Sequence, residues 1–316
     1  MTALPSIQTQ TVDCFHCGSP QSTHLTSTRD YNYKTCDNEF EFVRCDICGQ
    51  VYLKNRPVLS ALPIIYPKSY EAYAPQIGSK SPLARVKQYF IRKKLRSLKK
   101  YARRDGHIME VGCGSGDLLR LAKCYGDPTW HLYGVDITDT HFPALRTAGI
   151  TVFATRFEDM DGFEGKLDII IMNQVIEHLA DPNAIIRKAK TMLRQGGVLI
   201  METPALGSWD ARLFTRHGLW EGWHAPRHWQ VFDEASLSAV ITKSGLTTID
   251  TTYILSPYLW IHSIKNFLEF HQWLPWLRDC LNLQNFFSLT AVSMIDVIQL
   301  ALRGKTSNMR MIAQKP

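Results

Sequence analysis

Three glycines at alternate positions, Gly112, Gly114 and Gly116, follow a short apolar segment that begins at His107. Glycine lets the backbone approach a ligand where a Cβ atom would clash, and the helix expected after these glycines offers unpaired N–H groups at its start. This pattern predicts a nucleotide-binding loop. The third glycine comes two positions after the second, whereas dinucleotide-binding loops place it three positions after, so the spacing counts against a dinucleotide.

A carboxylate stands at the end of the second predicted strand, His131–Asp136, twenty positions after Gly116. An acid at such a strand end can accept hydrogen bonds from both hydroxyls of an adenosine ribose. The alternative is an aspartate that caps the next helix. Because a strand precedes Asp136, we interpret it as a ribose ligand.

Four cysteines near the start of the chain form two CxxC pairs, Cys14 with Cys17 and Cys45 with Cys48. Four thiolates at this spacing suit a tetrahedral zinc ion that has no open position. The pattern therefore predicts a structural zinc site of the zinc-ribbon type.

Two disulfides or a redox-active CxxC pair are the alternatives for these cysteines, and His16, His24 or Cys36 could replace a ligand. We expect no signal peptide before them. The remaining cysteines are scattered and show no pairing pattern: Cys36, Cys113, Cys124 and Cys280. This usage predicts a reducing compartment and a cytoplasmic protein.

Apolar and helical patterns alternate from residue 107 onward. Strands are expected before Gly112 and over 131–136, 150–154, 167–172 and 197–202. The helix before the last strand is expected to stop at Gly196 and Gly197, because helices commonly end at glycine. Such alternation predicts an α/β fold whose mostly parallel sheet is covered by helices on both faces.

These motifs resemble class I S-adenosylmethionine-dependent methyltransferases, most of all the branch with quinone-biosynthesis O-methyltransferases and enzymes of sugar and secondary metabolism. The resemblance covers about residues 80–316 and rests on ordered motifs: VGCGSGD, GVDIT, RFEDM, DIIIMNQVIEHLADP, LRQGGVLIMETP and PRHWQVF. It implies a Rossmann-like doubly wound sheet that ends in an antiparallel strand pair, 246–253 and 308–313. A zinc ribbon before the catalytic domain is similar to that of several bacterial members.

The family's cofactor is S-adenosyl-L-methionine, and the resemblance implies which residues would hold it. Asp136 would hold the ribose hydroxyls, Glu110 would lie near the methionine amino group, and Phe157–Asp159 would border the adenine. Asn173 and Gln174 would close the floor beneath the sulfonium. The complete implied set is Glu110, Gly112, Gly114, Gly116, Asp136, Phe157, Glu158, Asp159, Asn173 and Gln174.

A loop at 203–230 holds four tryptophans and three histidines, which predicts an acceptor pocket with apolar walls. The alternative is an ordinary packed loop whose histidines are satisfied within the core. His228 is the first candidate for a general base because its PRH turn resembles the substrate-side motif of this branch; His178 and His224 follow. The candidate substrate-binding residues are Trp223, Arg227 and Trp229.

Three parts of the chain are predicted: a zinc ribbon at 1–65, a tyrosine-rich connector with a basic amphipathic helix at 66–104, and the methyltransferase domain at 105–316. The formal charge of +7 is concentrated, because ten of the 36 lysines and arginines lie at 85–104. We expect this segment to be a solvated helix beside the sheet. An anionic substrate, an acidic membrane surface or a nucleic acid are the alternative reasons for its charge.

The catalytic domain carries an insertion at 254–307 that is expected to form a helical lid or a dimer contact. Shallow membrane attachment is the alternative. The apolar stretch at 286–302 is interrupted by Asp296 and is shorter than the ~20 residues of a spanning helix.

The predicted function is methyl transfer to a small-molecule acceptor, such as a sugar conjugate, a natural product, or a lipid or quinone intermediate. The expected partners are this acceptor, anionic or lipid-linked, and, as candidates, a membrane surface or a second copy. The alternatives are a zinc-ribbon protein that binds nucleic acid or modifies RNA, and a dinucleotide-dependent oxidoreductase. Enzymes that methylate base amino groups carry Asn-Pro-Pro-aromatic after the fourth strand, where this chain has Asn173-Gln174-Val175-Ile176, so nucleic acid is not expected.

Overall fold

The computed structural model describes residues 4–67, 95–283 and 285–316 of the chain. In the N-terminal part, strand β1 pairs antiparallel with β5, and β2, β3 and β4 form an antiparallel sheet. These strands and the short helix after them are β1 (Thr9–Thr11), β2 (Ser22–Thr28), β3 (Phe40–Cys45), β4 (Val51–Leu53), β5 (Asn55–Pro57) and α1 (Leu62–Ile65).

A seven-stranded sheet forms the centre of the molecule. Its strands are β6 (His107–Val111), β7 (His131–Asp136), β8 (Thr151–Ala154), β9 (Leu167–Asn173), β10 (Leu193–Pro204), β12 (Thr247–Ile254) and β13 (Asn308–Gln314). The spatial order is β12-β13-β10-β9-β6-β7-β8. Strand β13 runs antiparallel to β10 and β12, whereas β6 to β10 are parallel to one another. The predicted doubly wound fold with a C-terminal antiparallel pair is confirmed.

Helices cover this sheet and bury apolar residues at steps of three and four. In α4, for example, Ile185, Ile186, Ala189 and Met192 are buried, as expected of a helix with one face on a sheet. The helices are α2 (Asp117–Tyr125), α3 (Phe142–Thr147), α4 (Pro182–Met192), α5 (Trp209–Phe214) and α6 (Glu234–Lys243).

The expected end of α4 at Gly196 and Gly197 was wrong. The helix ends at Met192, because Leu193 is already extended and pairs with Leu167 of β9. Gly196 has a φ of 74° and lies within a register shift between Leu193 and Val198. The positive φ angle that glycine allows at this position is therefore part of a strand irregularity and does not end the helix.

The N-terminal sheet includes one strand from the segment between β10 and β12. Strand β11 (Gln230–Val231) pairs antiparallel with β4, which gives the order β11-β4-β3-β2. Buried residues of β3, of the tryptophan-containing loop and of the insertion share one apolar cluster, including Phe42, Trp223 and Trp260. The domain boundary at residue 65 stays a prediction, and strands from both sides of it share one sheet.

The insertion at 254–307 consists of three helices, α7 (Pro257–Phe270), α8 (Pro275–Cys280) and α9 (Phe286–Arg303). Helix α7 contacts the tryptophan-containing loop, because the hydroxyl of Ser263 accepts a hydrogen bond of 2.8 Å from the backbone N–H of Glu221. The insertion begins and ends at neighbouring strands, since Ile254 and Asn308 are paired residues of β12 and β13.

Most of the predicted connector and basic helix lies outside the described residues. Within the described part, residues 95–98 are helical. Leu95 and Leu98 are buried in a cluster with Ile108 and Trp130 beside the central sheet.

Candidate functional site

The glycine loop leaves β6 at the carboxyl edge of the parallel strands. Gly112, Gly114 and Gly116 all have positive φ angles, of 66°, 50° and 71°. A Cβ atom would lie 2.6 Å from Val175 at Gly112 and 2.4 Å from Leu145 at Gly116. The sequence therefore needs glycine here both for backbone conformation and for close approach.

Asp136 ends β7 directly beside this loop. Its Oδ2 accepts a hydrogen bond of 2.8 Å from the backbone N–H of Gly114, and its Oδ1 accepts two of 3.0 Å from Thr138. The carboxylate is therefore held in one orientation at the edge of the sheet. Asp136 therefore lies beside the glycine loop at the carboxyl end of the parallel strands.

Glu110 and Asn173 come from neighbouring strands, β6 and β9, and meet at the same edge. The Asn173 amide donates a hydrogen bond of 3.2 Å to Glu110 Oε1. Gln174 is exposed, has a φ of 53° and donates to Asn308 Oδ1 at 3.1 Å. The Gln174 side chain is thus directed toward β13, whereas the Asn173 side chain is directed toward Glu110, at the end of β6 that leads into the glycine loop.

The three residues predicted around the adenine form a single 3-10 turn after β8. Phe157 is buried in the main apolar cluster, Glu158 bonds Arg156 at 2.9 Å, and Asp159 is exposed. The turn follows β8, the strand that pairs with β7 and with its last residue, Asp136. Phe157, however, packs into the apolar core.

Three ionisable side chains lie close together: Glu177 and His178, which follow β9, and His228 of the loop at 203–230. Glu177 is 1% exposed, and its Oε1 lies 4.0 Å from Nε2 of His228. The rings of His178 and His228 have centroids 4.6 Å apart. The loop that carries His228 is joined to this group, because the Trp229 N–H donates to the Glu177 carbonyl at 2.8 Å.

Backbone carbonyls fix the tautomers of both histidines. His228 Nδ1 lies 2.9 Å from the Gly222 carbonyl, and His178 Nδ1 lies 3.0 Å from the Arg227 carbonyl. Since a carbonyl can only accept, each Nδ1 must carry the proton and each Nε2 keeps its lone pair. In His228 that lone pair is on the nitrogen nearer Glu177.

Burial sets the charge of this group. It raises the pKa of Glu177 to about 8 and lowers the pKa of His178 to about 3. The pKa of His228 is also well below its usual value, because of burial and the neighbouring histidines. At neutral pH the three side chains are therefore mainly uncharged.

His224, the third candidate base, belongs to a separate pair. Its Nδ1 lies 2.8 Å from Oε1 of Glu221, which is buried. Its ring also contacts that of Tyr33 edge to face. His224 is thus held toward the N-terminal part of the molecule, although its ring centroid is 4.9 Å from that of His228.

The residues predicted to bind the acceptor are core residues in this structure. Trp223 is 1% exposed and packs on Phe42, with ring centroids 4.5 Å apart. Trp229 is buried and donates its indole N–H to the Pro226 carbonyl at 3.1 Å. The alternative of a packed loop describes these tryptophans better than a pocket wall, because no face of either ring is open.

Arg227 is likewise 0% exposed. Its two terminal nitrogens bond the carboxylate oxygens of Asp30 at 3.0 and 3.1 Å, and its Nε donates to the Ile65 carbonyl at 2.7 Å. Burial alone would raise the pKa of Asp30, but the bonds and charge of Arg227 hold it below its usual value. The guanidinium links the loop to the N-terminal part and does not reach the edge of the sheet.

Two residues that contact the predicted site residues were not predicted from the sequence, Tyr66 and Asp30. The Tyr66 hydroxyl lies 3.1 Å from His178 Nδ1, and Asp30 holds Arg227. The tyrosine-rich connector was the available signal for Tyr66. Nothing in the sequence links Asp30 to a residue 197 positions away.

Two side-chain clusters among the described residues have the geometry to hold a metal ion. In the first, Sγ of Cys14 lies 3.5 Å from that of Cys48, and Sγ of Cys17 lies 3.5 Å from that of Cys45. A tetrahedral zinc ion with Zn–S bonds of about 2.3 Å separates its sulfurs by about 3.8 Å, so the four cysteines fit it. The second cluster is Glu177, His178 and His228.

Both the sequence and the fold of this chain are similar to those of known proteins. A family model for a methyltransferase domain matches residues 83–251, more than half of the chain. A ubiquinone biosynthesis O-methyltransferase of Cereibacter sphaeroides is 25% identical over 173 residues, 50% of this chain and 68% of that protein. Another, from a Ruegeria species, is 28% identical over 176 residues, with the same shares of both chains.

Among solved structures, phosphoethanolamine N-methyltransferase 2 of Haemonchus contortus, in complex with S-adenosyl-L-methionine, has a TM-score of 0.52. It is 14% identical, and the match covers 93% of this chain and 68% of that chain. At this identity the likeness shows a common fold. By the match to the family model, the chain belongs to the methyltransferase domain family and is a class I S-adenosylmethionine-dependent methyltransferase.

Proposed function

We propose that the protein transfers the methyl group of S-adenosyl-L-methionine to a hydroxyl or acidic carbon of a small molecule, and that His228, which lies beside Glu177, accepts the proton. The observation that carries this proposal is the proximity of Glu177 to the unprotonated Nε2 of His228, which lies 4.0 Å from Glu177 Oε1. Glu177 follows β9, whose carboxyl end also supplies Asn173 to the edge with the glycine loop, and His228 comes from the loop after β10.

The cofactor would be held by backbone and carboxylate groups of this edge. Asp136 would accept the ribose hydroxyls, and Gly112, Gly114 and Gly116 would allow the close approach of the methionine part. Glu110 and Asn173 would bind its polar atoms. When bound, the cofactor supplies an electrophilic methyl group on a positively charged sulfur.

The remaining work of the protein is to align the acceptor, exclude water and remove a proton. The oxygen or carbon of the acceptor forms a bond to the methyl carbon as the carbon–sulfur bond breaks. The acceptor's proton moves to Nε2 of His228. Glu177 stabilises the resulting positive charge in its ionised form, whose share grows as pH rises toward the Glu177 pKa of about 8.

Two observations support the acceptor class. Two matched relatives are named ubiquinone biosynthesis O-methyltransferases, a name that specifies methyl transfer to oxygen. The described surroundings of Glu177 and His228 are buried and uncharged, which favours a neutral, partly apolar acceptor over a free polyanion. A quinone, sugar-conjugate or natural-product intermediate meets this description.

The four N-terminal cysteines would hold a structural zinc ion. Backbone N–H groups in both CxxC turns bond thiol sulfurs, as at Cys14 and Cys45. All eight cysteines lie in the described part of the chain, and none of them forms a disulfide. The use of four cysteines as metal ligands favours a reducing, cytoplasmic compartment.

Two single substitutions test the proposal. Asp136→Ala should weaken S-adenosylhomocysteine binding in calorimetry by at least ~10-fold, about 1.4 kcal/mol, because two ribose hydrogen bonds are lost. His228→Ala should lower turnover of a catechol-type test acceptor by ~100-fold or more with little change in cofactor affinity. His131→Ala, an exposed histidine of β7, is the matched control.

An unchanged rate in His228→Ala would show that the base is assigned wrongly. Absence of any binding heat with S-adenosyl-L-methionine or S-adenosylhomocysteine would remove the entire proposal.

A further inference from the structure

Helix α9 turns polar side chains inward and large apolar side chains outward, the reverse of an ordinary surface helix. Its inward face carries Val292, Asp296 and Gln299, which are its buried residues. Its outward face carries the large apolar side chains: Phe286, Phe287, Met294, Val297, Ile298, Leu300 and Leu302. A helix on the surface of a water-soluble domain normally turns its polar residues outward and its apolar residues inward.

Specific contacts fix this orientation. The Asp296 carboxylate is 0% exposed and accepts hydrogen bonds from the Trp260 indole at 3.0 Å and from the Ser256 backbone N–H at 2.6 Å. Rotating α9 to hide its apolar face would break these bonds and leave buried donors unsatisfied. The outward apolar face is therefore a property of the folded protein.

The apolar surface continues from α9 onto the residues around α8. Phe270, Trp273, Leu274 and Trp276 are each about half exposed or more. Of the nineteen exposed large apolar side chains among the described residues, eleven lie between 270 and 302. We refer to these eleven residues as the insertion face; such a concentration normally marks a surface with a partner.

We infer that the insertion face attaches the protein to the surface of an anionic lipid bilayer. Between Phe286 and Leu302 the only ionisable residue is Asp296, which points inward, and the sequence continues with Arg303 and Lys305. Exposed tryptophans beside an apolar face and basic residues at its end are typical of interfacial attachment.

Charge favours a bilayer over a second copy of the chain. Each copy carries a formal charge of +7, so two copies repel each other, whereas an anionic leaflet attracts the protein. The outward surface of α9 contributes no acidic group that would oppose this attraction.

In this attachment the axis of helix α9 lies parallel to the membrane surface. Helix α9 is long and apolar enough, by length and composition, to cross a membrane. However, the insertion leaves and rejoins the sheet at the paired residues Ile254 and Asn308, and Asp296 of α9 accepts a hydrogen bond from Trp260 of α7. A helix held in this way can bury its outward face to the depth of the headgroups but cannot span the bilayer.

The experiment measures co-sedimentation of the full chain with vesicles of phosphatidylcholine alone and of phosphatidylcholine mixed with phosphatidylglycerol. We expect binding to the anionic vesicles that weakens with added salt. The double variant F286S/F287S removes side chains that are 73% and 82% exposed, and should bind at least ~10-fold more weakly. Leu59→Ser, which replaces an exposed leucine outside the insertion face, is the matched control.

Thermal melts verify that the variants fold, and sedimentation velocity without lipid measures the oligomeric state. Equal vesicle binding by the wild type and the double variant would overturn the inference, as would no binding to anionic vesicles. A dimer that F286S/F287S dissociates, without lipid binding, would instead make the insertion face a contact between copies. Methyl transfer to a soluble acceptor is measured separately, so failure here is distinguishable from failure of the proposed function.

Discussion

The charge state of Glu177 decides what the histidine group can do. A carboxyl with a pKa of about 8 is mostly protonated at neutral pH, so the buried group carries little net charge before an acceptor binds. Burial acts in the opposite direction on the neighbouring histidines, whose pKa values are lowered. Both shifts have the same physical cause, which is the cost of a charge away from water.

This pKa makes a prediction about stability. In the folded state the pKa of Glu177 is raised above its usual 4.5 to about 8, so folding favours the protonated form. Its contribution to stability is therefore present at low pH and is lost as pH rises between these two values. In Glu177→Gln, which cannot ionise, this loss is absent.

Urea unfolding between pH 5 and pH 8 measures the effect. The free energy of unfolding of Glu177→Gln, relative to wild type, should increase with pH by at most ~1.4 kcal/mol per unit. The matched control is Glu39→Gln, which changes an exposed glutamate in a surface ion pair with Arg29. Parallel curves for wild type and Glu177→Gln would contradict the raised pKa.

Among the elements, the loop at 203–230 buries Trp223 and Trp229 in the core and also places His228 beside Glu177. Aromatic and histidine side chains can line a pocket or fill a core, and the sequence does not distinguish the two. The strands of the central sheet were predictable because their apolar runs and strand-end residues depend on local order. The place of Arg227 depends on Asp30, on the other side of the central strands in sequence, and therefore was not predictable.

Asp30 and Arg227 should stabilise the contact between the N-terminal part and this loop. Removing one partner of a buried ion pair leaves the other charge uncompensated, so Asp30→Ala should lower the free energy of unfolding by about 3–5 kcal/mol. The exposed pair Arg29 and Glu39, 3.4 Å apart, provides the control. Arg29→Ala should cost less than ~1 kcal/mol; equal effects of the two substitutions, measured by urea unfolding, would refute the prediction.

At the scale of the whole molecule, the first CxxC turn docks onto helices of the central sheet. Asn183 of α4 donates to the Phe15 carbonyl at 3.0 Å, and Lys243 of α6 donates to the His16 carbonyl. Gln50, directly before β4, donates to the Ser236 carbonyl of α6 at 2.7 Å. The conformation of the CxxC turns thus bears on how the N-terminal part fits the catalytic part.

Loss of the metal should therefore destabilise more than the N-terminal part. Cys48→Ser removes one of four thiolates, so zinc content measured by elemental analysis should fall from about one ion per chain to a small fraction of that. The melting temperature should fall by at least ~5 °C, because the docked turn loses its fixed shape. Cys124→Ser, which changes an exposed cysteine on α2, should keep both values, as should Asp136→Ala for zinc content. If Cys48→Ser retained the metal and the melting temperature of the wild type, the four cysteines would not form the structural site that their spacing indicates.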